Sequence, residues 1–108
     1  MSDFFIIQSR EPFTDNRTKS DYQLVHHLVA AGNNVTMMLV QNGVLPVRRG
    51  SISQEFDALC SQNINILVDS FSLRQREIEV SELKSGVLAS EIDAAIQAMI
   101  AGYKVIWH

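Results

Sequence analysis

The chain has 108 residues, 46% of them apolar, with 9 basic and 12 acidic side chains and a net charge of −3. That length makes one domain over residues 1–108 with apolar residues enough for a core, and the acidic balance gives no whole-chain attraction to nucleic acid or anionic lipid. No apolar run approaches the roughly 18 residues that cross a bilayer, and a single cysteine, Cys60, excludes an intramolecular disulfide and a cysteine-rich zinc site.

Met1-Ser2-Asp3 lacks the basic start of a signal peptide, so a cytoplasmic location is expected. Phe4 to Gln8 is a short apolar run without helical period and reads as a buried strand. Residues 9–19 are polar, contain Pro12, and read as a loop. Ser20 or Asp21 then caps a helix with Leu24, Val25, Leu28 and Val29 on its inward face, and Gly32 closes it. Val35 to Val40 is a second strand, ended by the turn signal Gln41-Asn42-Gly43. Val44 to Gly50 is a loop carrying Pro46, Arg48 and Arg49.

Ser51 or Ser53 caps the next helix, whose apolar stripe is Ile52, Phe56, Leu59 and Cys60. Ile64 to Val68 is a third strand and runs straight into Asp69-Ser70. Residues 71–89 hold a short helix around Ser72 to Arg76, then a short edge strand. Ser90-Glu91-Ile92-Asp93 resembles a capping box with Asp in place of Glu. It opens a helix with Ile92, Ala95, Ile96, Met99 and Ile100 on one face, ended by Gly102 and followed by a last strand, Lys104 to Trp107. Apolar strands alternating with amphipathic helices imply an α/β fold. Its form is a three-layer α/β/α sandwich around a mostly parallel sheet of four or five strands, with right-handed crossovers.

In such sheets ligands bind beyond the carboxyl ends of the strands. The candidate residues there are Gln41, Asn42 and Gly43 after the second strand and Asp69 and Ser70 after the third. Arginines follow the same strand ends: Arg10 and Arg17, then Arg48 and Arg49, then Arg74 and Arg76. A guanidinium is a planar fork suited to phosphate, sulfate or carboxylate, so the rim is expected to receive a small anion or an acidic partner. Solvated loop charge, or ion pairing across an oligomer interface, is the plainer alternative. Gly43 would let backbone approach a ligand closely. Asp69 has two readings: a base or acceptor for a ligand, or the cap of a helix starting near Phe71.

The remaining reactive side chains read as structural. Cys60 lies on an apolar stripe with Asp57 nearby, whereas a reactive thiolate needs exposure and a cation. His26 and His27 are adjacent on a helix and cannot converge on one metal. His108, last in the chain, is expected to be mobile. Neither glycine-rich phosphate fingerprint occurs, and no nucleophile elbow or metal-ligand cluster does, so neither metal nor cofactor is expected.

The segments Leu39-Val40-Gln41-Asn42-Gly43-Val44 and Ile66-Leu67-Val68-Asp69-Ser70-Phe71-Ser72-Leu73-Arg74-Gln75-Arg76-Glu77-Ile78, with the arginine-containing loop between them and the closing Ile96 to Trp107, resemble the DsrE/DsrF/TusD-like family. The resemblance covers nearly the whole chain. It implies a small α/β fold assembled into dimers, trimers or hexamers. Active members are sulfur carriers: a cysteine at the end of the third strand accepts a persulfide and passes sulfur on, in tRNA thiolation or dissimilatory sulfur oxidation. Here Asp69 aligns with that cysteine, and a carboxylate cannot hold a persulfide. Cys60, on the preceding helix, is no substitute by position.

The resemblance therefore implies a non-catalytic DsrE-like subunit associated with sulfur relay. It would be a homo-oligomer, or a hetero-oligomer with sulfur-carrying DsrE-like subunits. Gln41, Asn42, Gly43, Asp69, Ser70, Arg48, Arg74 and Arg76 would bind a small anion or a partner segment. Two alternatives are an active sulfur carrier using Cys60, and a phosphorylated-metabolite-binding protein using Asp69, Ser70 and the rim arginines.

Overall fold

Strands β1 (Asp3–Gln8), β2 (Asn34–Leu39), β3 (Asn65–Asp69), β4 (Val87–Ser90) and β5 (Lys104–Trp107) form one sheet in the order β4-β3-β2-β1-β5. The source is a computed structural model that describes residues 2–108. Every pairing is parallel, with Ile6 beside Met37, Leu39 beside Val68 and Asp69 beside Ser90. β1 and β2 are continuous apolar runs because a central parallel strand is buried on both faces. The helices are α1 (Arg17–Ala30), α2 (Gln54–Cys60), α3 (Ser70–Gln75) and α4 (Asp93–Ile100), with 3-10 segments at Gln41–Val47 and Val80–Glu82.

The topology decides which face each helix covers. Three successive steps from β1 to β4 move across the sheet in one direction, and right-handed crossovers put α1 and α2 on one face. Their side chains Tyr22, Val25, Phe56 and Leu59 pack with Ile6, Met37, Leu39, Ile66 and Val68. The return from β4 to the far edge at β5 carries α4 across the opposite face, where Ala95 and Ala98 pack on Phe5, Ile7, Met38 and Val40. The architecture is α/β/α, and the sheet is wholly parallel.

Three local expectations are corrected. Helix α1 starts at Arg17, before Ser20 and Asp21, and Asn16 at its cap makes no side-chain hydrogen bond. Asp21 is a buried residue of the helix interior, held by Gln8 at the end of β1 and by His108 just after β5. Ser53 is the cap of α2, its hydroxyl accepting the Phe56 N–H at 3.2 Å, so Ile52 lies before the helix and is 85% exposed. The Ser90–Asp93 capping box does not form, because Ser90 is committed to β4 opposite Asp69 and Ile92 stands at the cap position of α4.

The fourth correction is the largest. Ile92, Ala95, Ile96, Met99 and Ile100 do not share the buried face of α4. Ala95 and Ala98 are buried, whereas Ile92, Ile96, Met99 and Ile100 are exposed. Small residues let the helix sit close on the sheet, and the bulky ones are left pointing outward.

Candidate functional site

Because β2 and β3 are neighbours, the turn at Gln41–Gly43 and the end of β3 at Asp69 lie side by side at the carboxyl edge of the sheet. Asp69 is buried and caps α3: its Oδ2 accepts the Ser72 N–H at 3.1 Å and the Ser72 hydroxyl at 2.7 Å. The Ser72 Oγ in turn accepts the Gln41 N–H at 2.9 Å. Gln41 reaches it with φ of 51°, a left-handed conformation costly for a residue with a Cβ. The Ser70 hydroxyl donates to the Ser90 carbonyl at 3.1 Å. Arg76 donates to Asn42 Oδ1 from Nε (3.3 Å) and Nη2 (3.0 Å), and to the Ser72 carbonyl.

Gln41, Asn42, Asp69, Ser70 and Arg76 are thus brought together, and they are bonded mostly to one another and to Ser72. The capping reading of Asp69 accounts for its position. Ser72 was not among the expected site residues, although it stands three residues after Asp69, the spacing between a cap and the backbone it serves. Gly43 answers to the fold as well: a Cβ there would lie 2.2 Å from the Gln8 carbonyl oxygen. Its close approach is to β1.

Most of the arginine rim is also committed internally. Arg10 lies 3.5 Å from Asp21 and 4.0 Å from Asp15. Arg17 pairs with Asp15 at 3.0 Å, and that guanidinium holds the Asp15 carboxyl below the usual carboxylate range. Arg49 Nη2 donates to the Ser81 carbonyl at 2.6 Å. Arg48 and Arg74 are exposed and have no partner among the described residues. Arg74 sits on α3, whereas Arg48 lines an open cleft of about 540 Å³ with Phe13, Gly50, Ser51 and Glu82.

A second polar cluster lies where β1 and β5 end. Asp21 accepts from Gln8 Nε2 at 3.1 Å, and the His108 Nδ1 lies 3.1 Å from its other oxygen. His108 is not a loose end: its N–H donates to the Ile7 carbonyl, and its carbonyl accepts the Ser9 N–H and hydroxyl. The sequence signal was Gln8, an amide closing an otherwise apolar strand. Its partners are distant in sequence and could not be read from it. His26 is half-buried and His27 exposed.

Cys60 is half-buried on α2, and burial pushes its thiol up, Lys84 opposing and Asp57 adding to that effect. Among the described residues no three metal-ligating side chains converge, and no helix is long and apolar enough to cross a membrane.

The other prominent surface is apolar. Ile92, Ile96, Met99 and Ile100 on the outside of α4 are flanked by Leu88 on β4 and Trp107 on β5, both exposed. By strand alternation these two side chains point to the α4 side of the sheet, in register with Leu67 and Ile7.

A family model described as the DsrE/DsrF-like family matches residues 2–108. Among curated proteins none matches the sequence significantly. The fold is similar to that of the YchN protein from E. coli, with a TM-score of 0.87 and 18% identity over 100% of both chains. It is also similar to that of MTH1491 from Methanobacterium thermoautotrophicum, a protein of unknown function. There the TM-score is 0.80 with 21% identity, covering 97% of this chain and 96% of that one.

Proposed function

This chain belongs to the DsrE/DsrF-like family, and from that premise we propose that it serves sulfur relay as a non-catalytic, oligomeric subunit assembled through the outer face of α4. The observation that carries the reading is the outward set Ile92, Ile96, Met99 and Ile100. A helix that is apolar on nearly every side, polar only at Asp93 and Gln97, is a helix meant to be covered twice. Contiguous exposed apolar patches of this kind mark association surfaces. The occupant is a second copy of the chain, or a sulfur-carrying DsrE-like subunit that presents a similar face.

The non-catalytic part of the proposal rests on Asp69, which the family resemblance sets at the position of the sulfur-accepting cysteine. Its carboxylate is engaged in capping α3. Cys60 is disfavoured as a replacement by its half-buried position and by a thiol pushed toward the protonated form. A cytoplasmic setting belongs to the same proposal.

Incubation with a persulfide donor followed by intact-mass measurement tests the chemistry. No labile sulfur on the chain is expected; sulfur gained and turned over would refute the non-catalytic reading. Light scattering on a size-exclusion column tests the assembly. A mass above the 12.1 kDa of one chain is expected, falling to one chain in Ile96→Asp.

A further inference from the structure

We infer that the cleft lined by Phe13, Arg48, Gly50, Ser51 and Glu82 binds a small molecule joining an amino-bearing heteroaromatic ring to a phosphate, of nucleoside monophosphate size. The first observation is Gly50. Gly32, Gly86 and Gly102 have φ near 87°, where a side chain is strained, and Gly43 is pressed against the Gln8 carbonyl. Gly50 alone among the five glycines has neither demand: its φ is outside the left-handed range and a Cβ would meet nothing within 4 Å. The fold does not explain this glycine, and it lines the 540 Å³ cleft. Absence of a side chain there keeps the cleft open to a ligand, and the volume falls in the range of small-molecule sites.

The walls are held in place. Glu11 is buried, and its carboxylate accepts the Phe13 N–H at 2.6 Å, the Thr14 N–H at 3.0 Å and the Thr14 hydroxyl. Its carbonyl accepts the Thr18 hydroxyl at 2.9 Å. That loop presents the Phe13 ring, 46% exposed, from a hydrogen-bonded backbone. Across the cleft, Arg49 N–H donates to the Glu82 carbonyl at 2.9 Å and Lys84 N–H to the Val47 carbonyl at 2.8 Å, so the backbone carrying Arg48 is clamped. The Arg48 fork has no partner among the described residues. The Glu82 Oε1 accepts the Glu79 N–H at 2.8 Å, which fixes the carboxylate and leaves its second oxygen without a donor among the described residues.

Each wall selects one part of the ligand. Phe13 offers stacking to a planar ring, and the Arg48 fork suits a phosphate. Glu82 accepts from an exocyclic ring amine, and a bare phosphate gains neither that bond nor the stacking to set against the like charge of the carboxylate. The combination favours adenine or cytosine monophosphates over uridine monophosphate and over inorganic phosphate. The cleft is built from segments that join the α1/α2 core through Val47 and Leu83, while α4 packs on the other face. The inference therefore stands apart from the assembly proposal, and Ile96→Asp should leave it intact.

Amide ¹H–¹⁵N spectra of the whole protein, titrated with adenosine monophosphate, test it. Saturable shifts at Gly50, Ser51 and Glu82 are expected. Adenosine, ribose 5-phosphate, inorganic phosphate and uridine monophosphate should each bind at least about tenfold more weakly. Arg48→Gln and Phe13→Ala should each weaken binding about tenfold, and Gly50→Leu, whose side chain enters open space, should abolish it with the rest of the spectrum unchanged. The inference is overturned by the absence of shifts at about 5 mM nucleotide. It is equally overturned by inorganic phosphate binding as tightly as the nucleotide, or by Gly50→Leu binding normally.

Discussion

Asp69 decides what the strand edge can do, and its chemistry is that of a cap. Replacing it with Ala removes the acceptor for both the Ser72 N–H and the Ser72 hydroxyl, which should cost about 1–2 kcal/mol of stability. Asn keeps an acceptor oxygen in the same place, so Asp69→Asn should unfold in urea within about 0.5 kcal/mol of the parent protein. An Asn variant as damaged as the Ala variant would mean that the charge matters beyond the cap. Cys60 gives a pH-dependent counterpart. Burial raises its thiol pKa in the folded chain, so the native thiolate fraction at neutral pH is below that of a free cysteine. Maleimide labelling should accordingly be slow in the native protein and reach the ordinary rate in denaturant. The sign for stability follows: the unfolded thiol ionises first, so this group's contribution is present below the ordinary thiol range and is lost as pH rises through the raised value. Labelling as fast in the native state as in denaturant would revive Cys60 as a sulfur acceptor.

Between elements, the ties that matter join segments far apart in the chain. Asp21 on α1 holds Gln8 at the end of β1 and His108 just after β5, and so helps fix an edge strand only four residues long. Asp21→Ala would leave the Gln8 amide buried without its acceptor, at about 1–3 kcal/mol. Hydrogen exchange should quicken at the His108 amide, which donates to the Ile7 carbonyl, more than at the centre of β2. Equal acceleration across the sheet would count against a tie specific to this edge. The central strands were legible because burial on both faces writes a continuous apolar run into β1 and β2. The region before α4 was less so: Val87-Leu88-Ala89-Ser90 is short and mostly exposed, and its only strong core residue is Val87. Helical period located the apolar stripe of α4, but period cannot say which surface meets the stripe; the alanines met the sheet. In the candidate site, the adjacency of Gln41–Gly43 and Asp69–Ser70 followed from strand order. The way those groups satisfy one another did not, since the Ser72 and Arg76 contacts and the left-handed backbone of Gln41 depend on three-dimensional geometry that no spacing encodes.

At the scale of the molecule, the two faces of the sheet are unequally covered. The α1/α2 face carries the larger core, including the 3-10 segment and Leu73 of α3. The other face carries one helix of eight residues, which cannot hide the flanks where Leu88 and Trp107 stand. Small chains bury a smaller share of their surface on folding, and association is a common remedy. The missing layer is therefore expected from another chain laid against α4, which makes stability depend on concentration. For a dimer, a tenfold rise in protein shifts the unfolding equilibrium by about 1.4 kcal/mol per mole of dimer, so the melting temperature should climb with concentration. Ile96→Asp should flatten that dependence, because a carboxylate buried at an apolar interface without a partner opposes association. The same variant should keep the monomer fold, since Ile96 is 53% exposed and takes no part in the cores on either face. A melting temperature constant across about a hundredfold range in the parent protein, together with a scattering mass of one chain, would remove the assembly and leave the outer face of α4 unexplained.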